Sequence, residues 1–391
     1  MNKAVINPNR LQWCLDNFDL SIKALADKLK ISIKTLEAVW KNEPSLTIKQ
    51  LKRISEYFNR SMLFFINPDK IEEDRILSPQ FRTINNRRPI HSRKLRIIIE
   101  QVEKHRKIYL GLLEDLGENI ISNWSPTEVA ISNKNEKEIS LKIRRWLALE
   151  ENINFKDLRQ DIEDKGIMVI VSNGFNGPWQ IDKKEPVRGF SLYFDVLPVI
   201  VIKKQSEGAQ AFTLFHELVH LLLHKNSVLD YEEDYHSNVG IEKEANKIAG
   251  NILIPDEFIE QIDVDQLIKM EANNVDSFLE EFSFKWCVSN EAILVRLLQE
   301  KRINNTFYTS YRGFRTFLHK QKEEELESSP EVNIPRKYRH REPLNVFGKP
   351  FVGAVLDAYH NQHITLAKAS TYLDNIKVKD VHKLVDYVVQ L

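Results

Sequence analysis

Cysteine is nearly missing from this sequence. Among 391 residues only Cys14 and Cys287 occur, far apart. That excludes a disulfide framework and a cysteine-rich zinc ribbon, and it points to a reducing cytoplasm. Long apolar runs are missing too. No stretch reaches the roughly 18 residues of a membrane-crossing helix, and the opening MNKAVINPNRLQW has no apolar core of a signal peptide. No membrane partner is expected. Net charge is the third absence: 56 Lys and Arg balance 56 Asp and Glu. What is present is ordinary for a globular protein. Hydrophobic residues make up 42% and charged residues 29%, which excludes wholesale disorder. At roughly 100–200 residues per domain, the length suggests two to four domains.

The charge is unevenly spread. Residues 1–70 hold 12 Lys/Arg against 7 Asp/Glu, and residues 81–107 hold nine against Glu100 and Glu103. A basic first third on a neutral chain is a mild nucleic-acid signal, and a solvated basic helix face gives the same pattern. Leu11, Cys14, Leu25, Leu29, Leu36, Leu51, Ile54 and Phe58 recur at helical spacing, with Ser21, Ser32 and Thr47 at N-cap positions. Residues 69–88 read as a polar linker, followed by a helix from Ser92 to Leu116. Two helices are expected over 137–166. Strands follow at Ile167–Val171, Phe190–Phe194 and Leu197–Ile202, the last fully apolar and central. A long helix from Gly208 to His224 comes next. An acidic stretch with Asp230, Glu232, Glu233 and Asp234 precedes a helix from Gly240 to Leu253, which Pro255 ends. Residues 256–317 read as helical. Residues 320–345, with Glu323-Glu324-Glu325 and Ser328-Ser329-Pro330, read as a charged linker before a small helical module from Phe351.

The chemistry concentrates at His216-Glu217-Leu218-Val219-His220. Positions i and i+4 share a helix face, so two imidazoles can reach one metal ion. Glu217 leans beside that ion and can take a proton from water there. Zinc needs a third protein ligand and one open position. The helix at 241–250 offers Glu242 and Glu244. They lie about 200° apart around the helix, so only one faces the metal. Asn246 shares a face with Glu242 and can orient a ligand histidine. The small residues Ala245, Ala249 and Gly250 favour the Glu242 face, with Glu244 the alternative. His224, one further turn on, reads as a packing or hydrogen-bonding histidine.

Taken together, Gly189-Phe190-Ser191, Pro198-Val199-Ile200-Val201, FTLFHELVHLLLH (212–224) and EKEANKIAGNILIP (242–255) resemble the ImmA/IrrE family of metallopeptidases. The resemblance covers about residues 140–260. It implies zinc as cofactor, His216, His220 and Glu242 as ligands, Glu217 as general base, and cleavage of a regulatory, repressor- or antitoxin-like protein. A neighbouring-gene protein is the implied target or partner. The family's usual Gly before the second motif histidine is Val219 here.

Leu25-Ala26-Asp27-Lys28-Leu29-Lys30-Ile31-Ser32 followed by Ile33-Lys34-Thr35-Leu36-Glu37 resembles an Xre-type helix-turn-helix. That implies duplex-DNA binding through residues 1–68, with Ser32 capping the recognition helix and Lys34 and Thr35 facing outward. Ile33 is apolar where a polar contact is usual, and Asn42 replaces a usual Gly. Trp286 and Arg296 are candidates to line a substrate path. The expected fold class is α+β and mostly helical: a helix-turn-helix domain (1–68), a basic helical linker region (69–135), and a zincin-like metallopeptidase core with a small sheet and a helical extension (136–318). A charged linker (319–345) and a small C-terminal helical module (346–391) complete it. The competing reading is a DNA-binding, antitoxin-like transcriptional regulator whose zinc site is structural or weakly active.

Overall fold

The computed structural model describes residues 3–71, 92–118, 124–125, 135–174, 177–182, 185–225, 227–231, 240–326 and 336–390. Most of the polar segment 69–88, the acidic residues Glu232–Asp234 and Ser328-Ser329-Pro330 lie outside the described residues. The chain divides into two compact units, Met1–Glu100 and Gln101–Leu391.

In the first unit a two-residue strand β1 (Lys3–Ala4) pairs antiparallel with β2 (Leu46–Thr47). Around them stand helices α1 (Pro8–Asn17), α2 (Ile22–Leu29), α3 (Ile33–Glu37), α4 (Ile48–Phe58) and α5 (Met62–Ile66). The helical spacing of Leu11, Cys14, Leu25, Leu36, Leu51, Ile54 and Phe58 has a direct consequence: all seven are fully buried. Caps set the boundaries. Ser21 accepts from the Ala24 amide, and Thr47 forms a reciprocal capping box with Gln50. Lys30 and Asn42 both take left-handed conformations where α2 and the 3-10 turn after α3 end. Ser32 stands at the N-cap position of α3, but its side chain makes no capping hydrogen bond, a correction to the expected role. The first unit also buries a bidentate ion pair, Arg60 to Glu100, at 2.6 and 2.8 Å. The boundary between the units falls inside α6 (Arg93–Asp115).

The second unit is built on a four-stranded sheet flanked by α7 (Glu136–Leu147) and α8 (Phe155–Glu163). The strands are β3 (Met168–Val171), β4 (Val187–Leu192), β5 (Val199–Ile202) and β6 (Val228–Tyr231), in the order β3-β5-β4-β6. β5 pairs parallel with β3 and antiparallel with β4. It is buried throughout, as its unbroken Val-Ile-Val-Ile run requires of a central strand. α9 (Glu207–Val219) lies against β4 and β5, and α10 (Gly240–Leu253) packs on α9 and α7. Ala245 and Ala249 are fully buried on α10, so small side chains let these helices approach.

Downstream, α11 (Asp256–Ile259), α12 (Val264–Leu267), α13 (Ala272–Lys285), α14 (Asn290–Gln299) and α15 (Asn305–Leu326) extend the helical layer. α15 runs on into the charged segment. The C-terminal helices are α16 (Glu342–His360), α17 (Leu366–Tyr372) and α18 (Val378–Val389). A buried arginine ties α16 to the outer edge of the sheet. Arg159 donates to the carbonyls of Val169, Asn345 and Val346 and to Glu163. Gly348, at φ 79°, lies so close that a Cβ would sit 2.1 Å from the Glu163 carboxylate. Burial, opposed by Arg159, raises the Glu163 carboxyl to about 7.

Candidate metal centre

The apolar run of α9 buries everything on it that faces the sheet. His216, Glu217 and His220 are fully buried with it. Burying three polar side chains costs free energy unless they are engaged. For the two histidines, neighbouring donor atoms supply the engagement, while both Glu217 carboxylate oxygens are buried without a hydrogen-bond partner among the described residues. His216 Nε2 and His220 Nε2 are 3.0 Å apart. From α10, Glu242 Oε2 stands 3.2 Å from His216 Nε2 and 3.3 Å from His220 Nε2. Three donor atoms thus converge on one point. A tetrahedral zinc ion with bonds of about 2.0–2.1 Å spaces its ligand atoms by roughly 3.3 Å, so this triangle is one face of such a site. Among the described residues, these are the only three His, Cys, Asp or Glu side chains so grouped.

Electrostatics agree with a cation there. Burial raises the Glu242 carboxyl, but hydrogen bonds and charge from His216 and His220 outweigh it and hold the group well below the usual carboxylate range. Burial lowers the His220 imidazole, and the Glu242 carboxylate opposes that shift. Glu217 is pushed well above the carboxylate range by burial, then by the charges of Asp230 and Glu242, while the Ser191 hydroxyl and Arg188 pull it back. A divalent cation beside it would add the opposing charge that favours its ionised form.

β4 brings Glu217 to this place through a glycine. A Cβ on Gly189 would sit 2.6 Å from Thr213 Cγ2 and 2.8 Å from the Val201 carbonyl oxygen, with Glu217 Oε1 at 3.6 Å. The carbonyl belongs to the sheet and cannot swing aside. Gly189→Ala should therefore cost about 1–3 kcal/mol through overpacking. Chemical denaturation of the variant beside the parent checks this, and an unchanged midpoint would show that α9 has slack.

The helix changes character at the second histidine. Residues His220–His224 form a π-helical turn, a feature frequent at functional sites. The turn brings His224 Nδ1 to 2.9 Å from His220 Nδ1, and His224 Nε2 to 3.4 Å from Glu244 Oε2. If His220 Nε2 offers its lone pair toward Glu242 and His216, its Nδ1–H donates to His224 Nδ1, and His224 Nε2–H points at Glu244. His224 is thus the hydrogen-bonding histidine expected, and it stands on the Nδ1 side of His220. Asn246 lies half-buried on α10, one turn beyond Glu242. Glu244 faces His224 rather than Lys247, whose ammonium pairs with Glu136 at 3.3 Å.

Two residues beside the cluster, Arg188 and Asp230, carry no signal for this place in the sequence. Asp230, expected within an acidic stretch, is a strand residue with no exposed surface. Its Oδ1 accepts from Arg188 Nη2 at 2.8 Å and lies 3.9 Å from His216 Nε2. Neither Trp286 nor Arg296 belongs to the His216, His220 and Glu242 group; Arg296 lines a separate cavity with Lys137 and Asn251. Trp286 is buried and stacked on Phe258 at 5.1 Å, and Arg296 is spent on the Ile254 carbonyl, Asp256 and Glu300. In the first unit, Ser32 and Lys34 are exposed and Thr35 is half-buried, all at the start of α3.

No curated protein matches the chain. Residues 162–298, which run from the end of α8 through the sheet and the His216, His220 and Glu242 cluster into α14, match the Peptidase_M78 family model, described as the IrrE N-terminal-like domain, and so a metallopeptidase family of the ImmA/IrrE type.

Proposed function

We propose that this chain is a zinc-dependent endopeptidase of the ImmA/IrrE type that cuts a regulatory, repressor- or antitoxin-like protein and binds duplex DNA through its first unit. The observation that carries the enzymatic reading is the convergence of His216, His220 and Glu242 with the Glu217 carboxylate beside them. When bound, zinc polarises the scissile carbonyl and makes water acidic enough to attack at neutral pH. Glu217 accepts the proton of the attacking water and later delivers it to the leaving amine. Its burial keeps bulk water from competing. His224 and Glu244 hold the His220 ring in the tautomer whose Nε2 faces the cluster. The test is cellular. The chain or its Glu217→Gln variant is induced, and protein N-termini are compared. One regulatory protein should gain a new N-terminus only with the parent, whereas identical profiles overturn the reading.

The DNA reading rests on the resemblance of residues 25–37 to a helix-turn-helix and on the exposure of Ser32 and Lys34 at the start of α3. The full chain should bind its own upstream duplex with an affinity that falls steeply with salt, as counterions are released. Lys34→Ala and Thr35→Ala should weaken sequence preference more than total binding. A retardation assay at two salt concentrations decides it, and salt-independent or absent binding makes the unit a protein contact instead.

A further inference from the structure

We infer that Asp230, held in place by Arg188, is a positioning residue of the metal centre that strengthens its grip on a divalent cation without ligating it. The inference rests on the zinc reading above and concerns residues that reading does not use. Strand register is the first observation. On β4 Val187 pairs with Tyr231 and Gly189 with Asp230, so Arg188 is the extra residue of a β-bulge. Bulges re-aim side chains and are frequent next to active sites. Here the bulge lets Arg188 reach Asp230 from beside Gly189, which carries the Glu217 side of the site. The Arg188 backbone stays anchored, because its carbonyl accepts from the Lys203 amide of the adjoining strand segment at 2.7 Å.

The second observation is burial. Asp230 is completely buried, Arg188 is 8% exposed, and they meet at 2.8 Å. A buried ion pair is a poor stabiliser, since desolvation consumes most of the Coulomb gain. Packing alone does not call for it. The third observation is distance. Asp230 Oδ1 is 3.9 Å from His216 Nε2, while the three converging donors are 3.0–3.3 Å apart, and Asp230 lies outside their group. It is too far to be a fourth ligand and near enough to act through a low-dielectric interior. The groups facing the centre are then the imidazoles of His216 and His220 and the charges of Glu217, Asp230, Glu242 and Arg188. With a dication bound and the carboxylates ionised, these charges cancel. Asp230 therefore favours the cation, and Arg188 opposes it while fixing the Asp230 carboxylate.

The two partners should act with opposite signs, which separates this role from simple bracing of the strand. Zinc affinity is measured on the full chain by competition with a chromophoric chelator, with folding checked by circular dichroism. Asp230→Asn should weaken zinc by about 10–100-fold, the scale of partners outside the ligand set. Arg188→Met removes the guanidinium that lies over Phe212 but keeps an unbranched stem, and it should leave zinc as tight as in the parent or tighter. Should Asp230→Asn fail to fold with Arg188 left unpaired, the double variant removes both charges. Relative to Arg188→Met, it should still lose about tenfold or more. Unchanged affinity in the asparagine variants, or equal losses from Arg188→Met and Asp230→Asn, overturns the inference. A parent chain that binds no zinc overturns the metal reading itself.

Discussion

Glu217→Gln should retain zinc and lose peptide hydrolysis by at least about 100-fold, the lower end of what a positioned general base contributes. The retention follows from geometry. The three converging donors are His216 Nε2, His220 Nε2 and Glu242 Oε2, and Glu217 supplies none of them. The substitution also removes a buried carboxylate that burial, Asp230 and Glu242 all disfavour, so the folded state should be at least as stable as the parent. Glutamine keeps the volume but cannot accept the proton. Zinc content and unfolding midpoint therefore act as internal controls for the activity measurement. If the variant cleaves at the parent rate, Glu217 is not the base, and the rival reading of a DNA-binding regulator with a structural or weakly active zinc site gains ground. If it loses zinc with activity, the ligand set is wrong.

The cluster of His216, His220 and Glu242 is legible in the sequence because its logic is local. His216 and His220 are one turn apart on any helix, and Glu242 with Asn246 repeats that spacing on another. Small Ala245 and Ala249 mark the face that meets α9. The central strand is legible from its unbroken apolar run. What escapes is non-local or irregular. Arg188 and Asp230 are 42 positions apart and meet only because β4 carries a bulge opposite β6. β6 is four residues long, and its Asp230 blends with the acidic residues that follow, so alternation gives it no signal. The His220–His224 contact depends on a π turn, whereas counting about 100° per residue assumes a regular helix. Ser32 has the right residue type and position for a cap, yet its side chain makes no such bond. Residue type permits a cap without compelling it. Trp286 shows the reverse error. A large aromatic with a polar edge reads equally as core or as a path lining, and its stacking on Phe258 decides for core.

Glu242→Gln should weaken zinc binding by more than the roughly 10–100-fold expected of any partner outside the ligand set, and Glu244→Gln by far less. Angular position alone separates the two carboxylates. Glu242 shares a face with Asn246, and Glu244 points about 200° away. The structure adds contacts. Glu242 Oε2 is 3.2 and 3.3 Å from the two imidazoles, and its carboxyl is held well below the usual range there, so its negative charge is already committed to this point. Glutamine offers a neutral carbonyl oxygen in its place, a poor donor to zinc. Glu244 is 43% exposed and touches the centre only through His224, at 3.4 Å. Its amide replacement can still accept from His224 Nε2, so a loss of no more than about tenfold is expected. His224→Ala removes the acceptor of the His220 Nδ1 proton and should fall between, at about 10–100-fold. Asn246→Ala should likewise cost about 10–100-fold, the scale of a partner outside the ligand set. Zinc titration of the four apo-proteins against a competing chelator ranks them on one scale. A larger loss in Glu244→Gln than in Glu242→Gln would mean that α10 presents its other face to α9, and the ligand triangle would have to be rebuilt around that carboxylate.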